Sequence, residues 1–78
     1  MTRTEVLRLR KYLNDKFDTT KFSLQAPSTK DQDSVEVLYD GEFIGVIYKD
    51  DEEGEISYAF QMAILEMDLP SAADASLI

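Results

Sequence analysis

The chemistry open to this chain is that of carboxylates, phenols, hydroxyls and amines, because its 78 residues include neither cysteine nor histidine. Without them there is no thiolate nucleophile, no disulfide and no imidazole, the commonest general base and metal ligand. The densest reactive cluster is Asp50-Asp51-Glu52-Glu53-Gly54-Glu55, whose oxygens suit a hard cation such as calcium. Its spacing argues otherwise. Aligning Gly54 with the glycine of an EF-hand loop puts Lys49 in the first ligand position and Phe60 in the last, where carboxylates are required. A solvated turn is expected there, with no metal and no cofactor. Tyr12, Tyr39, Tyr48 and Tyr58 have the functional group for acid-base work, but three of them fall on strand positions that packing uses. Gly41, Gly45 and Gly54 do not form a phosphate-binding loop. The expectation is a protein that is not an enzyme and has no evident small-molecule ligand, with a carboxylate-based enzyme as a lesser alternative.

The remaining charge is unevenly placed. Residues 1–30 hold 7 basic and 3 acidic side chains, a balance of +4, whereas the rest holds 1 basic and 13 acidic, a balance of −12. Arg3, Arg8, Arg10 and Lys11 form a basic patch on the first predicted helix. The net charge of −8 disfavours nucleic acid, since phosphate is repelled outside that patch. Two readings of this dipole stay open: solvated faces, or charge-steered association with a partner or a second copy.

One small α+β domain over residues 2–69 must position these groups, with a tail of 70–78 expected to lack order. Thr2-Arg3-Thr4-Glu5 has the form of a capping box. From it an amphipathic helix runs to between Lys16 and Asp18, with Val6, Leu9, Leu13 and Phe17 in one stripe, Leu7 and Tyr12 at its margins, and Arg8 and Lys11 pointing away. Phe22, Leu24 and Ala26 alternate with polar residues in a short edge strand that Pro27 closes. Ser28 to Asp33 is polar throughout and is expected as a mobile surface loop.

Ser34 to Tyr39, Asp40-Gly41 and Glu42 to Tyr48 predict a hairpin with a two-residue type I′ turn. In that register Leu38 faces Phe43, Val37 faces Ile44 and Val35 faces Val46, which puts Val35, Val37, Ile44, Val46 and Tyr48 under the helix. A five-residue turn pairing Lys49 with Glu55 then sets Tyr48 against Ile56, Val46 against Tyr58 and Ile44 against Phe60. For residues 57–67 propensity and pattern conflict: the composition suits a helix that Ser57 would cap, while Ile56, Tyr58, Phe60, Met62 and Ile64 alternate as a strand does. The alternation predicts a strand. The fold expected is one N-terminal helix packed on a four-stranded antiparallel meander.

The other sheet face is apolar where water alone would favour polar residues. Leu38, Phe43, Ile47, Ala59 and Leu65 are predicted there around a depression at Gly45. Either a further segment of the chain covers it, or it meets a protein partner, most simply in a homodimer. If residues 57–67 were helical, the element order would instead resemble a double-stranded RNA-binding domain with the basic helix as its contact, an alternative weakened by Glu53 and Glu55 at the late helix start. Ala75-Ser76-Leu77-Ile78 is also of the kind that a PDZ-type groove takes up by strand addition.

The run Gly41-Glu42-Phe43-Ile44-Gly45-Val46-Ile47-Tyr48-Lys49-Asp50-Asp51, with Gly54-Glu55 and Ser57-Tyr58 to Leu65 after it, resembles a family of short alphaproteobacterial proteins catalogued as a domain of unknown function. The resemblance extends from about Arg3 to Leu69 and includes the Leu-Arg-Lys-Tyr-Leu run of the first helix. It implies a bacterial, cytoplasmic protein, and it assigns no activity or site residue. No run of apolar residues approaches the ~20 that cross a bilayer, so no membrane segment is expected.

Overall fold

A computed structural model describes residues 1–27, 33–52 and 54–75 of the chain. The first helix, α1, spans Arg3–Lys16, and four strands follow: β1 Phe22–Gln25, β2 Ser34–Tyr39, β3 Glu42–Asp50 and β4 Ser57–Met62. They form one antiparallel sheet whose spatial order, β1-β2-β3-β4, is the order of the chain. This is the expected α+β meander, and residues 57–62 are strand. A 3₁₀ turn at Glu66–Asp68 and a single helical turn, α2, at Ala72–Ala75 complete the described chain. Most of the polar loop read at Ser28–Asp33 and the last three residues, with their PDZ-type motif, lie outside the described residues.

Local chemistry accounts for where α1 starts and stops. The Thr2 hydroxyl accepts from the Glu5 amide at 3.1 Å, and the Glu5 carboxylate accepts from the Thr2 amide at 2.9 Å, a complete capping box. At the other end Asp18 takes the left-handed conformation (φ 53°), and the amides of Asp18 and Thr19 return to the carbonyls of Asp15 and Asn14, closing the helix in a Schellman motif. The Asp40-Gly41 turn has φ of 53° and 83°, as type I′ requires. Leu38 accordingly faces Phe43.

Beyond that pair the register departs from expectation. A β-bulge lies between Val37 and Leu38 on one strand and Phe43 and Gly45 on the other, so Ile44 is the extra residue and Val37 faces Gly45. Every later side chain of β3 therefore changes face. Ile47 is buried under the helix side with Val35 and Val37, while Val46 and Tyr48 lie on the outer face, the reverse of their predicted places. The second turn is also longer than predicted. Asp50 pairs with Ser57, because the Asp50 carboxylate accepts from the Glu52 amide at 3.0 Å and bends the chain away there, which leaves Ile56 outside the ladder. This three-residue offset puts Tyr58, Phe60 and Met62 opposite Lys49, Ile47 and Gly45, on the helix side as expected but with different partners.

The core is small: Leu13, Phe22, Val35, Val37 and Ile47 are buried, and Met1, Val6, Leu9, Leu24, Ile44 and Tyr58 pack against them. Asn14 anchors the helix to the first strand by accepting from the Phe22 amide at 2.9 Å and donating to the Phe22 carbonyl at 3.3 Å. Phe22 in turn meets Tyr39 edge-on at 5.0 Å. The helix sits over β1 to β3, and β4 is left largely uncovered. From Ala59 to Asp74 every residue is exposed.

Candidate functional site

Two features meet beside β4, one polar and one apolar. The polar one is centred on Glu5, held at the start of α1 by the capping box. One carboxylate oxygen of Glu5 takes the Lys49 ammonium at 2.8 Å and the Tyr58 hydroxyl at 2.6 Å. The side chains of Lys49 and Glu5 are only 19% and 14% exposed, so the pair is partly shielded from solvent. The Lys49 ammonium, with help from the Thr2 amide and the Tyr58 hydroxyl, holds the Glu5 carboxyl down at about 2. Hydrogen bonding to Glu5 raises both Lys49 and Tyr58 above their ordinary values. Each group is thereby kept in the charge state it already has at neutral pH. That suits a clasp, since the ion pair and its hydrogen bond persist across the neutral range.

Sequence reasoning missed this cluster. The strand pattern places Lys49 at a strand end and Tyr58 in the packing, and the available signal is Lys49 itself, the one cation after residue 30.

The apolar feature is a groove of about 380 Å³ between α1 and the β3–β4 half of the sheet, lined by Leu9, Tyr12, Ile47, Tyr58 and Phe60, with Arg8 at its rim. It exists because one helix cannot cover four strands. Its outer wall is β4, the last strand of the sheet, whose outer edge pairs with nothing among the described residues. Twelve large apolar side chains are exposed among the described residues, and seven of them lie between Ile56 and Leu69.

The predicted second-face residues are brought together only in part. Leu38 and Phe43 are opposed on the outer face, with Phe43 56% exposed, and Ala59 lies on that face opposite Tyr48. Phe43 and Leu65 line an open groove there with Val46 and Tyr48. Ile47 does not belong to this face but to the core, because the bulge inverts it. Gly45 is buried and is among the residues lining that groove with Phe43 and Leu65, and a Cβ there would strike the Gln61 carbonyl oxygen and lie 2.8 Å from the Phe60 ring. The close approach expected at Gly45 is thus that of β4. Arg3, Arg8, Arg10 and Lys11 are all exposed on α1, but Lys11 is engaged by both oxygens of Asp15 at 2.8 and 2.7 Å. The acidic turn is solvent-exposed at Asp51, Glu52 and Glu55, and no group of three or more carboxylates among the described residues is placed to hold a metal ion. No helix among them is long and apolar enough to cross a membrane.

An open four-stranded antiparallel sheet half-covered by one clasped helix defines a small α+β domain whose distinguishing surface is an uncovered edge. The chain belongs to the family described as protein of unknown function (DUF3126), which it matches over residues 5–68. That match includes α1 from Glu5 onward, all four strands and the 3₁₀ turn. Neither the curated proteins nor the solved structures include a significant match.

Proposed function

We propose that this chain is a small non-catalytic protein-binding module of a bacterial cytoplasm, whose binding surface is the β4 edge and the groove between β4 and α1. The observation that carries this reading is the distribution of exposed apolar side chains, concentrated on the one strand whose outer edge pairs with nothing among the described residues. Contiguous apolar surface of this kind marks interaction sites, and a free strand edge adds unpaired backbone donors and acceptors. The charge states at Glu5, Lys49 and Tyr58 support a structural role for the only perturbed titratable cluster among the described residues.

Site-specific photocrosslinking in cells tests the reading. A benzophenone side chain at Met62, on β4, is expected to give a discrete protein adduct, and one at Arg10, on the solvent side of α1, is expected to give none. Absence of any adduct at Met62 would remove the module.

The RNA-binding alternative rested on a late helix over residues 57–67, and that segment is a strand through Met62. No observation favours it over the protein-binding reading.

A further inference from the structure

The two edges of the sheet are built differently. β1 is four residues long, its Phe22 backbone groups are taken by Asn14, and Pro27 follows it. Those devices close an edge. β4 carries none of them. From Ile56 to Leu65 ten consecutive residues include no charge, no proline and no glycine, in a chain of which 31% is charged.

The strip is also complementary to itself. In an antiparallel pair, directly opposed residues share a face, so a two-fold axis normal to the sheet can pass midway between the two copies of one β4 residue. With the axis at Phe60, Phe60 meets Phe60 of the partner subunit, Tyr58 meets Met62 of the partner subunit on the helix side, and Ala59 meets Gln61 of the partner subunit on the outer face. Just beyond the strands, Ile56 comes opposite Ile64 of the partner subunit. A specific interface takes about 800 Å² from each partner. The six residues of β4 form an edge ~20 Å long, on which Phe60 and Met62 are exposed, with Ile56, Ile64 and Leu65 exposed just beyond its ends.

We propose that the occupant of the β4 edge is a second copy of this chain, paired antiparallel about a two-fold axis at Phe60 so that two sheets become one. This rests on the protein-binding reading and names its partner. Because β1 is closed, pairing ends at two copies and does not continue into fibres. Each copy carries a net charge of −8, so the neutral strip is where two of them meet with least repulsion, and added salt strengthens the dimer.

The chain has no cysteine, so a single introduced one can cross-link only to another copy. Opposed Cα atoms in an antiparallel ladder lie within disulfide reach. Light scattering of the wild type from micromolar to millimolar concentration, at low and high salt, is paired with oxidation of Phe60→Cys and Phe43→Cys. The expected result is a concentration-dependent mass of two chains that rises with salt, and a disulfide dimer from Phe60→Cys but not from Phe43→Cys. A wild-type monomer throughout, or cross-linking at Phe43 alone, overturns the proposal. A Met62 photoadduct of different composition alongside a monomeric wild type would overturn the second copy and keep the module. In case Phe60→Cys does not fold, Ala59→Lys/Gln61→Lys and Ala59→Glu/Gln61→Glu change exposed positions only. Each pair is expected to be monomeric alone, and the two are expected to form a mixed dimer when combined; no mixed dimer overturns the axis.

Discussion

The Tyr58 hydroxyl donates to the Glu5 carboxylate at 2.6 Å across 53 residues of chain. This bond, with the Lys49 ion pair on the same oxygen, ties the beginning of α1 to the strand that the helix otherwise leaves open. The tie has a defined pH window. Glu5 is lowered from 4.5 to about 2 on folding, so its contribution is complete above about 4.5 and is lost as pH falls toward 2. Lys49 and Tyr58 are raised, so their contributions hold below their ordinary 10.5 and 10.0 and fade as pH climbs through the raised values.

Glu5→Gln is therefore expected to lower the melting temperature at pH 7 and to leave it nearly unchanged at pH 2, where the wild-type carboxyl is itself half protonated. Thermal melts of both proteins between pH 2 and 8 check this. Parallel curves across that range would mean that Glu5 acts only as a cap.

Asn14→Ala is expected to destabilise the fold by about 1–3 kcal/mol, because it leaves the part-buried amide and carbonyl of Phe22 without a partner. Urea titration followed by circular dichroism measures it. The same change opens the β1 edge, so aggregation on standing is expected to increase.

Gly45→Ala is expected to cost about 1–3 kcal/mol, since the new methyl group would have to push the Gln61 carbonyl and the Phe60 ring aside. A midpoint in urea equal to that of wild type would show that β3 and β4 do not approach as closely as described.

Phe43→Glu is expected to change stability by less than about 0.5 kcal/mol, because the side chain is exposed on the outer face. Its sedimentation coefficient is expected to match that of the wild type at every concentration. Loss of association in this variant would move the interaction surface to the outer face around Leu38.

Retention of a short RNA duplex at low salt is expected to be absent. The five basic residues of α1 face a net charge of −8, and Lys11 is already paired. Retention abolished by Arg3→Ala/Arg10→Ala would restore the nucleic-acid reading.

Local signals in this sequence were legible because each is set by neighbouring residues. Thr2 and Glu5 mark the helix start, Asp40-Gly41 marks the turn, and the turn dictates that Leu38 faces Phe43. Register farther along was not legible. In Phe43-Ile44-Gly45-Val46-Ile47-Tyr48 both alternating sets are apolar, so the pattern is indifferent to a bulge that inverts one half of the strand. Gly45 inside a strand was the available sign of a bulge or a close backbone approach, and the structure has both. The open groove was hidden for a different reason: how many strands one helix covers depends on where it is anchored, and the Asn14 anchor to Phe22 joins residues on different elements. That groove lies on the helix side of the sheet, away from Leu38 and Phe43 on the outer face.

The sheet lies in the order of the chain, so each strand pairs with the one made just before it. Such neighbour-by-neighbour pairing favours rapid folding, and the tie from Glu5 to Tyr58, 53 residues apart, is expected to close after the meander. A contact made after the rate-limiting step slows escape from the native state without hastening arrival. Stopped-flow measurements on Tyr58→Phe should then show the wild-type folding rate with faster unfolding, so that the clasp acts on the lifetime of the folded molecule.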